Sequence, residues 1–404
     1  MKSTNMKDTC MICMMKPFLY FSSYTNSYIN LGCRHSTKPS KAPFIRDCKR
    51  KRYFGYILQM LTLVSVCLEV CKTLYMNEFK TIVALLLFME LVTMLLILRR
   101  IIVGNFFWRK SNRELRVMLY VSQYLRMLRV DEHFVELFRF YHHSFYVGIF
   151  GGIVTFVCQM APYYTEDVNS MIYVVCFSRL ALVYLVTSFY LRIWSDIAAY
   201  TILFKAIFKQ VTREVQHRCA ENEIAYLILN NALGYHYKQT AFLAKMKKLR
   251  RMYMTTLSSL RRTKGALYGL LEFISVSNHL QLTWLLFVTI MGFIGIVQFN
   301  TDYFVFCARH LMQLCLLGSF ARLCDKIQVS IETMASNLFQ VNSVKMTGEE
   351  IREIELFAKL LGWEQPIKSE NDKTAFGIDF LSDLTVDIFV NCMVLTQLYF
   401  WFNK

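Results

Sequence analysis

A chain of 404 residues that is 55% hydrophobic and only 19% charged, with a mean hydropathy of +0.33, carries more apolar side chains than a soluble protein of this size buries. The excess must face lipid, and only five prolines interrupt helices whose backbone polar groups are satisfied internally. A net charge of +17 raises the question of nucleic acid, but the cations lie between oily segments rather than on one patch, so no nucleic-acid partner is expected and membrane lipids are.

The 13 cysteines are scattered, most of them in apolar runs, and read as reduced thiols rather than a disulfide framework. Cys10 and Cys13 form a CxxC, but no second pair or neighbouring histidine completes a zinc site, so no metal is assigned. Residues 11–22 imitate a secretory signal behind Lys2 and Lys7. Lys16 interrupts the run and no small-x-small cleavage site follows, so residues 1–52 are taken as an N-terminal tail.

Seven segments then have the composition and the 17–25 or so residues needed to cross a hydrocarbon core of about 30 Å: 53–74, 81–98, 144–161, 170–194, 278–299, 303–320 and 384–402. The expected fold class is therefore all-α, a seven-transmembrane helical membrane protein. The tail 1–52 and the loops 99–143, 195–277 and 321–382 hold 11, 9, 13 and 7 of the 46 lysines and arginines. The opposite connections, 75–80, 162–169 and 300–302, carry Lys80 alone against four acids. Basic loops stay in the cytoplasm, which places the N-terminus inside and residues 383–404, the last span and a short tail, ending outside.

The cytoplasmic loops carry structure of their own. Residues 115–141 place an apolar residue every three or four positions with Arg116, Arg126 and Arg129 between, the mark of an amphipathic helix. Similar patterning at 195–225 and 241–277 fits either helices that extend the spans and pack together or helices lying flat on anionic lipid. In 345–376 the stretch GEEIREIELFAKLLGW reads as a helix with Glu349 and Glu350 in its first turn.

No P-loop, Gly-x-Ser-x-Gly elbow, His-Glu-x-x-His or dinucleotide fingerprint is present, so the chain reads as a non-enzyme with no catalytic residues and no cofactor. Ionisable residues within spans are functional hypotheses by default; here they are Glu90, Arg179, Arg309 and Asp387. Glu90 with Arg179 or Arg309 could instead form a pair that only fixes helix packing. Aromatics gather near the outer ends of several spans: Tyr163, Tyr164, Tyr173, Trp284, Phe287, Tyr303, Phe304 and Phe306. They fit an aromatic belt at the headgroups equally with an outward-opening pocket for a small organic ligand, with Ser178, Gln281 and Thr283 as polar handles. Gly148, Gly151 and Gly152 in the third span suit close helix packing.

The C-terminal segment IREIELFAKLLGWEQPIKSENDKTAFGIDFLSDLTVDIFVNCMVLTQLYFWF resembles the last quarter of insect gustatory receptors, within the seven-transmembrane insect chemoreceptor superfamily. In that family a cytoplasmic helix leads through a glycine into a seventh span with Thr-Tyr, five apolar residues and Gln-Phe. Gly377 and Phe380 match the approach, while Asn391 and Cys392 stand at the Thr-Tyr positions and Leu398 and Tyr399 at the Gln-Phe positions. The resemblance implies a plasma-membrane receptor of sensory neurons, a homo- or hetero-tetramer with other gustatory receptors. It implies a ligand-gated cation channel opened by an extracellular small-molecule tastant, its later spans extended into a cytoplasmic anchor. It also implies a pore face of Val394, Leu395 and Leu398, with Asn391 further in and Phe402 near the mouth, and Leu398 as a hydrophobic gate; a lipid-facing stripe would show the same helical spacing. An insect odorant receptor shares this architecture. A G-protein-coupled receptor would need its N-terminus outside and lacks its Asp-Arg-Tyr and Asn-Pro-x-x-Tyr here, and a transporter would need repeated halves or broken spans.

Overall fold

The computed structural model describes residues 18, 20–21, 29–32, 44–75, 92, 95–96, 98–99, 143, 146–154, 156–157, 170–227, 232–296, 301–341, 346–363 and 378–402. Two strands, β1 (Ile29–Gly32) and β2 (Phe44–Asp47), are followed by helices α1 (Lys49–Tyr75), α2 (Ser170–Leu227), α3 (Ala232–Phe293), α4 (Thr301–Phe339), α5 (Gly348–Trp363) and α6 (Ile378–Phe402). The fold is all-α in substance. β1 and β2 add one antiparallel ribbon to the N-terminal tail, with Ile29 opposite Asp47 and Gly32 opposite Phe44. Strands of four residues carry too short an alternation to announce themselves in sequence.

Segment 53–74 lies within α1, 170–194 within α2, 278–293 of the fifth segment within α3, 303–320 within α4 and 384–402 within α6. Residues 146–154 and 156–157 of the third segment are helical, and most of the second lies outside the described residues. At 1.5 Å per residue the 58 residues of α2 and 62 of α3 reach about 87 and 93 Å, roughly three times a hydrocarbon core. The oily and amphipathic stretches behind these two spans are therefore single rods rather than spans with separate flat helices.

The deepest packing lies in those extensions. Trp194, Tyr200, Phe204, Phe208 and Val211 of α2 meet Met246, Leu249 and Tyr253 of α3, Phe320, Leu323, Ile327 and Ile331 of α4, and Ile354, Phe357 and Leu361 of α5. The spacing of three and four residues on each helix makes one apolar stripe per rod, and four stripes close a core. Tyr253 sits at its centre, its ring 5.5 Å from Phe204 and 5.6 Å from Phe357. Burying each such side chain contributes about 1.5–3 kcal/mol. By contrast Ile57, Met60, Phe150, Phe177, Val386 and Phe389, all in predicted spans, are exposed, as side chains that face lipid tails should be.

Polar contacts then lock the extensions together. Thr347 caps α5 reciprocally with Glu350: the Thr347 N–H donates to Glu350 Oε2 at 3.0 Å and the Glu350 N–H to Thr347 Oγ1 at 3.4 Å. The other oxygen of Glu350 accepts from Arg218 Nε of α2 at 2.6 Å, both side chains fully buried. Arg250 of α3 reaches Glu353 at 2.8 Å, Lys245 of α3 reaches Glu214 of α2 at 3.0 Å, and Gln239 donates to Thr347 at 3.1 Å. At its other end α3 stops in a Schellman turn, in which Gly295 adopts φ 81° and the Ile296 N–H returns to the Met291 carbonyl.

Four further contacts tie other pieces to α2. A Cβ on Gly148 would lie 2.7 Å from Leu191 Cδ2, and one on Gly152 2.9 Å from Thr187 Oγ1, so these glycines do permit close approach of the third predicted span. Before the ribbon, Phe18 stacks on Trp194 at 5.4 Å, and Tyr184 donates its hydroxyl proton to the Phe21 carbonyl.

α2 and α4 run parallel. Thr212 donates to Met334 Sδ at an offset of 122 residues, and the charge of Lys205 acts on Lys326 at an offset one smaller. Burial, followed by the neighbouring charges of Arg322 and Lys205, pushes the Lys326 ammonium below the ordinary lysine value of 10.5. The unfolded chain therefore binds the extra proton, and stability rises as pH climbs through the window below 10.5. Lys326→Met should raise the melting temperature in neutral detergent at neutral pH by about 1–2 °C, and the gain should shrink as pH approaches 10.5. An equal gain at both pH values would mean that the charge is not its source.

Candidate functional site

α6 is the element on which the functional reading turns. Its 25 residues reach about 37 Å, and Ser382–Phe402 is, among the described residues, the stretch long and apolar enough to cross a membrane. Only one side is covered. Ile388, Cys392, Leu395, Thr396 and Tyr399 are buried or half-buried, three or four residues apart, and face α3 and α4.

The register against α3 is fixed by two contacts. Asn391 Nδ2 and His279 Nε2 are hydrogen-bonded at 3.0 Å. Two turns outward, the rings of Phe287 and Tyr399 meet edge to face at 6.1 Å, at the same offset of 112 residues. The two helices are therefore parallel, and Thr283 stands at the level of Leu395 between these contacts. Trp284 packs on Phe287 with centroids 5.4 Å apart, so Trp284, Phe287 and Tyr399 form a continuous aromatic chain from α3 into α6.

The other side of α6 is open. Asp387, Val394, Leu398 and Phe402 form an exposed stripe, with Val394 47%, Leu398 39% and Phe402 80% exposed, and Asn391, which reaches His279, stands at its edge. Of the five residues expected at the pore, Val394, Leu398 and Phe402 lie on it and Asn391 at its edge. Leu395 instead is half-buried on the stripe that faces α3. Asp387, noted in the sequence only as an intramembrane charge, joins the exposed stripe one turn before Asn391.

The residues expected at a ligand pocket divide. Trp284 and Phe287 are brought together and half-buried; Gln281 and Ser178 are buried, whereas Tyr173 is exposed. Tyr303 and Phe306 lie on α4 and Arg179 and Arg309 on α2 and α4, with their side chains outside the description. Tyr163, Tyr164 and Glu90, and with Glu90 the expected ion pair, lie outside the described residues. Sequence reasoning missed His279 and Tyr399. His279 opens the fifth predicted span as one of only eight histidines, a signal that could have been weighed. Tyr399 was visible only as a departure from a family motif.

No family model matches the chain, and no curated protein matches it. The solved structures do. The insect olfactory receptor OR5 from Machilis hrabei superposes with a TM-score of 0.59 over 95% of this chain and 97% of its own, at 11% identity. The same receptor in complex with eugenol gives 0.57 over the same shares, at 9% identity. The chain shares the fold of this insect olfactory receptor.

Proposed function

We propose that the chain is a chemoreceptor subunit, a ligand-gated cation channel of the plasma membrane opened by a small organic molecule from outside. The observation that carries the reading is the two-sidedness of α6. One side of α6 binds α3 through the Asn391–His279 and Tyr399–Phe287 contacts, and the other, with Asp387, Val394, Leu398 and Phe402, is open for copies of itself around a pore. The seven spans, the cytoplasmic N-terminus and a tetramer belong to this reading, supported by the charge asymmetry of the loops and by the receptor-like fold.

The mechanism follows the aromatic chain. A ligand seated against Trp284 displaces Phe287, Phe287 moves Tyr399, and Tyr399 is covalently next to Leu398. Four Leu398 side chains facing a narrow axis form a dry constriction that water and ions cross only when the helices part. Taste is the modality that the C-terminal segment favours. Odour is the second reading, favoured by the structural neighbours, one of which is solved with eugenol.

Expression in a heterologous cell with current recording tests the proposal against panels of tastants and volatile organics. Leu398→Ala should raise the ligand-independent current by about tenfold, the effect of lowering a dewetting barrier by roughly 1.4 kcal/mol. Trp284→Ala should move the dose response with surface expression intact. A functional receptor whose leak is unchanged in Leu398→Ala removes the gate from this position.

A further inference from the structure

The start of α1 turns three of four consecutive cations toward the side that carries its exposed apolar face. At 3.6 residues per turn, Lys49, Tyr53, Ile57, Met60 and Val64 fall on one face of the helix, with Arg50 and Arg52 flanking it on either side and Lys51 opposite. Burial follows that division. Lys49, Arg50 and Arg52 are exposed, as are the residues that continue the face, Tyr53 by 69% and Met60 by 64%. Lys51 is buried, with its Nζ 4.9 Å from the centre of the Tyr20 ring, and Gly55, Leu58, Thr62 and Ser65 continue the buried side. Arg52 is laid along the helix toward the predicted span: its Nε donates to the Tyr56 hydroxyl at 2.9 Å, and its guanidinium lies 5.7 Å from that ring.

We infer that Lys49, Arg50 and Arg52 form a basic collar that binds the headgroups of singly charged anionic lipids, of the phosphatidylserine type, in the cytoplasmic leaflet around α1. The inference rests on the membrane placement proposed above, in which the first span begins at residue 53. Three features select this partner. The cations stand at the foot of an exposed apolar stripe, so acyl chains lying along Ile57, Met60 and Val64 bring their own headgroups to the collar. The climb from Lys49 to Tyr53 is about 6 Å, close to the depth of the headgroup layer on one side of a bilayer, and Tyr53 and Tyr56 stand where amphipathic rings collect. The three positions also fan around the helix instead of converging on one point, which suits several headgroups of one charge each better than a single polyphosphorylated one. Occupancy sets the depth and tilt of α1, and through it the seat of α2, against which α1 packs.

The test uses the purified full-length chain with a photoreactive benzophenone side chain in place of Tyr53, in nanodiscs of phosphatidylcholine with a minority of phosphatidylserine. Lipid adducts are identified by mass spectrometry. They should favour phosphatidylserine about fivefold over the membrane's own ratio, the effect of one cation near each headgroup. K49Q/R50Q/R52Q should bring the preference to within about 1.5-fold of that ratio. K247Q/K248Q/R251Q makes the same change of charge on exposed positions of α3 about 40 Å before the predicted fifth span, and it should leave the preference intact. An equal loss there would reduce the effect to general charge and overturn the collar.

K49R/R50K/R52K keeps every charge and should keep the preference; its loss there would show that charge is not the source and overturn the collar. Soluble glycerophosphoserine that abolishes the preference at equal concentration would overturn the assignment to a lipid. Adducts to a second copy of the chain instead of lipid make this face a subunit interface, and the collar is withdrawn. Lipid adducts at the membrane's own ratio leave the cations as topology signals and sink the collar alone. The absence of any lipid adduct sinks the membrane placement of α1 and the collar with it. Because no current is read, a chain that never conducts yet prefers phosphatidylserine here loses the channel reading and keeps the collar.

Discussion

Arg218→Met should destabilise the folded receptor by about 3–5 kcal/mol, more than any surface charge substitution in the molecule. Arg218 and Glu350 meet at 2.6 Å with 2% and 0% of their side chains exposed, so no water replaces the guanidinium once it is gone. Glu350 has a second task, since its other oxygen caps the first turn of α5 by accepting from Thr347. Removing Arg218 therefore leaves an uncompensated carboxylate in a core position and loosens the attachment of α5 to α2. Arg218→Met with Glu350→Met removes both charges. It should recover most of the loss and retain a deficit of about 1 kcal/mol from the missing cap. Chemical unfolding in detergent measures the cycle, and a coupling energy well above 1 kcal/mol is expected for a pair that shares a network. If Arg218→Met alone stays within about 1 kcal/mol of wild type, the pair is not what holds α5 in place.

This pair also marks the boundary of what the sequence discloses. The helix GEEIREIELFAKLLGW was legible with its termini, because first-turn acids and the apolar spacing behind them are local signals, and the structure begins and ends it at Gly348–Trp363. The apolar segments 53–74 and 384–402 lie within the helices Lys49–Tyr75 and Ile378–Phe402, because a long apolar run is itself a local signal. What was not legible depends on register between rods. Glu350 was visible as a first-turn acid, but its partner lies 132 residues away. Leu395 and Leu398 look alike in a helical stripe, and only the contacts of α6 with His279 and Phe287 turn one inward and leave the other open. Phe18 belongs to a segment that imitated a failed signal sequence, yet it stacks on Trp194 at the edge of the core. Such contacts join positions more than a hundred residues apart, and periodicity within one segment carries no information about which partner stripe it meets.

Asp387→Lys should cut cation conductance by about tenfold and make the residual current asymmetric. Asp387 is exposed and lies one turn before Asn391 on the stripe that continues through Val394 and Leu398, so in the proposed tetramer four carboxylates ring the inner mouth. A carboxylate ring concentrates cations where they enter the pore, and a lysine ring of opposite sign depletes them. α6 runs from the cytoplasmic side at Ile378 to the outer side at Phe402 in the proposed orientation, so the depletion acts on cations that leave the cell. Outward current should therefore fall further than inward current. Asp387→Glu should conduct nearly as the wild type, with Asp387→Asn between. Raising ionic strength should narrow the differences, because the Debye length falls from about 8 Å at physiological salt to about 3 Å at 1 M. Single-channel recording in symmetric solutions reads both quantities. If the exposed stripe faces lipid instead, a lysine at this position would lower surface expression and leave the conductance of every surviving channel unchanged, and the stripe would have to be reassigned.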